Sequence, residues 1–250
     1  MSRIVPGDAA GVAEAVRILR AGGLVAFPTE TVYGLGARAR DVSAVRAVFS
    51  AKGRPADHPL IVHLPTGAPL DDWAESVPAA ARTLAARFWP GPLTVVLRRS
   101  ASVPDEVTGG QDTVALRTPA HPLAARLLGE LGEPLAAPSA NRFGRISPTR
   151  AEHVAGEFAD LDLVVLDGGP CEVGLESTII DLSGDAEQRI AAGVVNVLDD
   201  HAGEVRERYP ELKRNVSGYN LDVLVDEASV DSTVSDDATV NLAHLLAGSE

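Results

Sequence analysis

The sequence predicts an α+β fold, a mixed β-sheet with helices on its flanks. Short apolar runs of strand length alternate loosely with amphipathic stretches of helical period, but without a strict strand–helix rhythm. Several strand-to-strand links are too short to hold a helical crossover, which argues against a doubly wound parallel sheet. Apolar residues make up 45% of the 250, enough for a packed core.

The elements follow in order. Residues 11–20 read as an amphipathic helix with Val12, Val16 and Leu19 on one face, ended by Gly22 and Gly23. Leu24–Phe27 reads as a short buried strand stopped by Pro28, and TETVYGLG after it as a polar, then glycine-rich loop. Residues 43–51 read as a helix ending before Lys52-Gly53-Arg54-Pro55, and Pro59–Leu64 as a buried strand. Residues 78–88 read as a helix stopped by Pro90-Gly91-Pro92. Leu93–Arg98 and Thr113–Arg117 read as strands, 122–131 as a helix, and Leu135–Ala137 as a strand running into Pro138-Ser139-Ala140-Asn141. Ser147-Pro148-Thr149 resembles a helix start, with Ser147 as N-cap and Pro148 at the first position. Leu163–Leu166 and Thr178–Leu182 read as the last strands.

The character changes near residue 186. Residues 186–250 hold 13 acids and 5 bases, whereas the whole chain carries a net charge of −13. Segment 226–239 is acidic, small and polar, and reads as a mobile linker. The expected division is a folded domain over 1–198 and an atypical, partly flexible tail over 199–250. Without a basic footprint, nonspecific nucleic-acid binding is not expected. No run reaches the length of a membrane helix, and the first residues lack a signal-peptide core, so no membrane partner is expected. One cysteine, Cys171, makes no internal disulfide and suits a reducing cytoplasm; it reads as a small buried hydrophobe.

Three cations, Lys52, Arg54 and Arg117, stand beside strand ends, where sites are usually built. Arginine offers phosphate and carboxylate a planar fork and lysine a compact charge. The chain lacks a P-loop, a dinucleotide fingerprint and a nucleophile elbow, and its six histidines show no zinc spacing. From residue chemistry alone, the reading stops at an enzyme of mixed α and β structure binding a small anion.

Six segments in order carry it further: PTETVYGLG (28–36), AKGRPADHPLIVHL (51–64), ALRTPAHP (115–122), PSAN (138–141), ISPT (146–149) and ESTIIDL (176–182). Over residues 10 to 185 the chain resembles the YrdC/TsaC family of threonylcarbamoyl-AMP synthases. The resemblance implies a YrdC-like open, twisted mixed sheet around a concave basic cleft. It implies a nucleotidyltransferase that joins L-threonine, bicarbonate and ATP into threonylcarbamoyl-AMP and pyrophosphate. It also implies Mg²⁺ arriving with ATP, and tRNA reached indirectly through downstream transferase proteins that modify adenosine 37. Among the residues, Lys52 and Arg54 would be catalytic and hold ATP phosphates. Thr31, His63, Arg117, Ala137 and Ser177 would bind threonine. His58, Thr113, Ser139, Asn141 and Ser147 would complete the ATP site, with no protein ligand for a metal. Taken singly, His63 reads as a core histidine, Thr31 and Ser177 as loop caps, and Tyr33 and Phe27 as packing residues.

Two departures stand out. The family has an arginine in an L-R-P-G run after ESTIID; in the aligned stretch Arg189–Val194, Ala191 takes its place and Ala192 that of the proline. Arg189, two residues earlier, would share a face with position 191 on an extended strand. Residues 200–250 resemble pieces of FAD-linked oxidases related to glycolate oxidase, but no complete flavin domain is present and no FAD is expected. An alternative to the enzyme is a catalytically weakened module of the same fold that binds nucleotide or RNA.

Overall fold

Helices begin where the sequence supplies a cap. Asp8 accepts the Gly11 N–H and opens α1 (Ala9–Arg20), which buries Val12, Ala15, Val16 and Leu19; Gly22, at φ 82°, turns the chain out. Asp41 does the same through Ala44 N–H for α2 (Val42–Lys52), and Gly53 closes it in the left-handed region. His121 caps α5 (Pro122–Leu131) by accepting Leu123 N–H at Nδ1. The remaining helices are α3 (Ala79–Phe88), α4 (Asp105–Thr108) and α6 (Ala151–Glu157). This computed structural model describes residues 1–184. The expected boundary at 198, Arg189, Ala191, Ala192 and the whole 199–250 tail lie outside them.

The strands are β1 (Arg3–Pro6), β2 (Val25–Pro28), β3 (Tyr33–Arg38), β4 (Ile61–His63), β5 (Leu93–Arg98), β6 (Thr113–Arg117), β7 (Leu135–Ala136), β8 (Val164–Asp167) and β9 (Thr178–Asp181). They form one sheet in the order β1-β8-β2-β3-β7-β4-β6-β5-β9. Parallel pairs (β1 with β8, β2 with β8, β4 with β6, β5 with β9) mix with antiparallel ones (β2 with β3, β3 with β7, β4 with β7, β5 with β6). The expected mixed sheet with flanking helices is therefore what forms.

Side-chain alternation divides the sheet into two faces. One face is apolar throughout: Ala26, Val62, Leu93, Val95, Leu97, Val114, Leu116 and Val165 pack with Val45, Val48 and Phe49 of α2 and with α3, α4 and α6. The other is covered by α1 and α5, whose core takes its strand residues from β1, β2, β7 and β8. On β4, β6 and β5 that same face carries His63, Arg117 and Thr94 instead. It is the polar half of an otherwise packed sheet, and it positions the site.

Two expectations change. TETVYGLG is a loop only as far as Val32; Tyr33–Arg38 is a buried strand. Its glycines answer packing, since a Cβ on Gly36 would stand 2.8 Å from Phe27 Cε1 and 3.3 Å from Leu135 Cδ1. Ser147 does not cap a helix: α6 starts at Ala151 after Arg150, with no side-chain cap. The Pro148 and Thr149 carbonyls accept the N–H groups of Tyr33 and Cys171, which keeps this segment extended. The parallel edge strand β1 and the single-turn α4 are additions that the apolar pattern did not announce. Phe27 and Tyr33 are fully buried, as packing residues are.

Glycine substitutions separate packing from backbone preference. Gly36→Ala should destabilise by about 1–3 kcal/mol through overpacking. Gly129→Ala, within α5 with nothing within 4 Å of a new Cβ, should stabilise by about 0.5–1 kcal/mol. Urea unfolding midpoints of the two variants read both effects.

Candidate active site

Arg117 ends β6, paired in register with His63 on β4, and only 3% of it is exposed. A buried guanidinium needs partners for charge and for donors. Nη2 donates to Glu30 Oε1 at 2.7 Å, Nη1 to Thr31 Oγ1 at 3.0 Å and Nε to the Gly91 carbonyl at 3.2 Å. Glu30, 6% exposed, accepts the Ala120 N–H at its other oxygen, and Thr31 and Thr29 share a hydroxyl hydrogen bond. Three of five N–H donors are thus engaged among the described residues. Losing one partner of such a pair costs about 3–5 kcal/mol, so Glu30 holds Arg117 as firmly as Arg117 holds Glu30.

His63 is fully buried. Burial, then the Arg117 charge, pushes its imidazole down to about 3, so it is neutral at pH 7. Phe27 meets it edge-on at 5.9 Å, and its Nδ1 has no partner among the described residues. Ser177 and Thr94 share a hydrogen bond of 2.7 Å. The Ala137 N–H is given to Ile61 O. The structure thus joins Arg117 directly to Thr31 and sets His63 beside it.

The second group gathers at the end of α2. Lys52 is its last residue, where a cation suits the helix dipole. Its Nζ donates to Ser139 O at 2.5 Å and to Asn141 O, leaving one N–H of three without a partner among the described residues. Burial, reinforced by Arg54, pushes Lys52 down to about 8, while Glu176 pulls the other way. Arg54 donates to Pro59 O at 3.1 Å; burial lowers its pKa as well, and its Nε is buried without a partner among the described residues. Asn141 Nδ2 spans the Arg142 and Arg145 carbonyls, and Ser147 donates to Glu176. His58 stands edge-on to Phe143 at 5.4 Å.

Thr113 opens β6 on the same face as Arg117, about 13 Å away along the strand. By register it is level with Pro59, the residue Arg54 reaches. Glu30, Thr94 and Glu176 are the polar partners that sequence reasoning passed over. Glu30 sits next to Thr31, already singled out, but its partner lies 87 residues away. Cys171 is half-buried against the core, with burial raising its thiol to about 11, which leaves it unreactive. Among the described residues no helix is long and apolar enough to cross a membrane.

Comparison with known proteins adds kinship to this geometry. The Sua5_yciO_yrdC profile, described as "Telomere recombination", matches residues 17–193. The threonylcarbamoyl-AMP synthase of Pyrococcus abyssi is 54% identical over 169 residues, covering 68% of this chain and 50% of its own. That of Bacillus subtilis is 49% identical over 175 residues, 70% of this chain and 51% of its own. The chain spans about half the length of these curated relatives. The crystal structure of P. abyssi Sua5 complexed with L-threonine superposes with a TM-score of 0.68 at 49% identity, covering 73% of this chain and 54% of that one.

Lys52 gives the end of α2 a pH signature. Its folded pKa lies below its unfolded value, so burial disfavours the charged form. Stability from this group is lowest below pH 8 and recovers as pH rises towards 10.5. Anion binding runs the opposite way, because only the charged form attracts phosphate. Affinity for inorganic tripolyphosphate should fall roughly tenfold between pH 7 and pH 9, and Lys52→Arg should flatten that fall. Calorimetric titration at the two pH values reads it.

Proposed function

The chain belongs to the Sua5/YciO/YrdC family, and on that premise we propose that it is an L-threonylcarbamoyladenylate synthase. The observation that carries the proposal is a pair of buried cations, Arg117 at the end of β6 and Lys52 at the end of α2. Each is anchored by protein acceptors and each keeps donors in reserve.

In this reading the two N–H groups left on Arg117 take the threonine α-carboxylate. Thr31, neutral His63, Ser177 and the Ala137 backbone surround the rest of the amino acid. His63 Nδ1 accepts from a ligand N–H or O–H. Lys52 and Arg54 take ATP phosphates and the carboxylate derived from bicarbonate, with His58, Thr113, Ser139, Asn141 and Ser147 lining the nucleotide. The threonine amine attacks the carboxyl carbon of bicarbonate, water leaves, and a carbamate forms. A carbamate oxygen then attacks the α-phosphorus of ATP, and the bond to the β-phosphate breaks to release pyrophosphate. No protein nucleophile is required; positioning and charge stabilisation carry the rate.

Mg²⁺ would arrive with ATP and be held chiefly by phosphate and water, neutralising phosphate charge. The Glu176 carboxylate, whose charge acts on both Lys52 and Arg54, is an oxygen donor of the kind this ion takes. The product passes through partner proteins to adenosine 37 of tRNA, and the reading carries a cytoplasmic location. Ala191, where the family has an arginine, favours a second reading: a module that binds nucleotide without turnover. Loss of one such donor typically costs roughly 10²–10³ in rate.

The test is pyrophosphate release from ATP with bicarbonate and Mg²⁺, with and without L-threonine. Release that needs both threonine and bicarbonate supports the synthase; ATP binding without release favours the module. Arg54→Ala should abolish threonine-dependent release, and unchanged turnover would remove Arg54 from the site. Ala191→Arg should raise the rate. No gain would mean that position 191 does not face the phosphates or that Arg189 already serves.

A further inference from the structure

We infer that Phe143 is the stacking platform for the purine base of the nucleotide; this rests on the nucleotide-binding part of the function proposed above. Large exposed apolar side chains are unremarkable when scattered. Here two of them, Phe143 at 48% exposure and Ile146 at 94%, share one short turn. That turn is braced from every side. The Phe143 N–H donates to Lys52 O at 2.8 Å, and Gly144, at φ 76°, makes the reversal. Asn141 Nδ2 ties the Arg142 and Arg145 carbonyls together. The Arg142 backbone N–H reaches Glu157 Oε1, its Nε the Glu157 carbonyl, and its Nη2 Asp160 Oδ1 at 2.6 Å. An aromatic ring is thus fixed in place with almost half its surface in water, although nothing in the core demands its position.

The neighbours say what the ring is for. His58 stands perpendicular to it, with centroids 5.4 Å apart and an interplanar angle of 90°, so the two rings form a corner. A planar base can lie on one ring and present its edge to the other. The phosphate-directed cation belongs to the same unit: Lys52 accepts the Phe143 N–H at its backbone carbonyl and donates from Nζ to the Ser139 and Asn141 carbonyls. A nucleotide needs such a pairing, a flat apolar surface next to a cation, because ribose ties its base closely to its phosphates. Stacking on an aromatic face tolerates any base. Phe143 therefore contributes affinity for the base, and the choice among bases is made elsewhere.

Calorimetric titration of the full chain with ATP and, separately, with inorganic tripolyphosphate tests this. Phe143→Ala should weaken ATP binding roughly 5- to 150-fold, the span of one base stacked on an aromatic ring, and leave tripolyphosphate affinity unchanged. Phe143→Tyr, which keeps the ring, should keep ATP affinity. Unchanged ATP affinity in Phe143→Ala overturns the inference. So does an equal loss for both ligands, since the effect would then travel through Lys52. A wild-type chain that binds neither ligand overturns the nucleotide reading itself, and this inference with it.

Discussion

A guanidinium buried as deeply as that of Arg117 is tolerated only when its charge and its donors are met, and the surrounding structure is arranged around that requirement. Glu30 supplies the charge from the turn after β2. Thr31 supplies an acceptor from the same turn, and Gly91 a carbonyl from the approach to β5. These contacts pin the β2–β3 turn over the polar half of the sheet. The loop before β9 is laid against the same turn, since Val173 and Gly174 donate to the Glu30 and Thr31 carbonyls. Three distant stretches of chain thus share one buried charge.

Lys52 solves a similar problem differently. Among the described residues it has no carboxylate in hydrogen-bond contact and relies on two backbone carbonyls of the segment after β7. Carbonyl dipoles satisfy donors without cancelling the charge, so burial still tells and the pKa falls to about 8. The result is a buried cation whose charge is solvated by carbonyls rather than cancelled. Arg117 instead has its charge met by Glu30. A neutral His63 lies beside it, in register across the sheet.

The two glycines of β3 show how local signals mislead. Gly34 and Gly36 read as loop residues because glycine is rare inside strands. Each lies against the Phe27 ring, which leaves no room for a Cβ at Gly36, so a tertiary contact overrides the propensity. Ser147 tells the same story. Its capping chemistry is real, but the carbonyls that follow it are taken by Tyr33 and Cys171, and its hydroxyl goes to Glu176.

The sequence by itself determined the long elements, because apolar period and capping residues are local properties. Strands Leu93–Arg98 and Thr113–Arg117 and the helix over 122–131 coincide with their predicted bounds, and Asp8, Asp41 and Gly53 punctuate helices as their chemistry dictates. The ordered segments also carried the family resemblance and the names of the candidate residues. Only the tertiary structure decided how those residues are partnered. Glu30 and Arg117, Lys52 and Ser139, and Thr94 and Ser177 lie 83 to 87 residues apart, so no local pattern joins them. The order of the nine strands decided which side of β4, β5 and β6 escapes the cover of α1 and α5. A polar face becomes a site because the strands that carry it lie beyond the reach of those two helices.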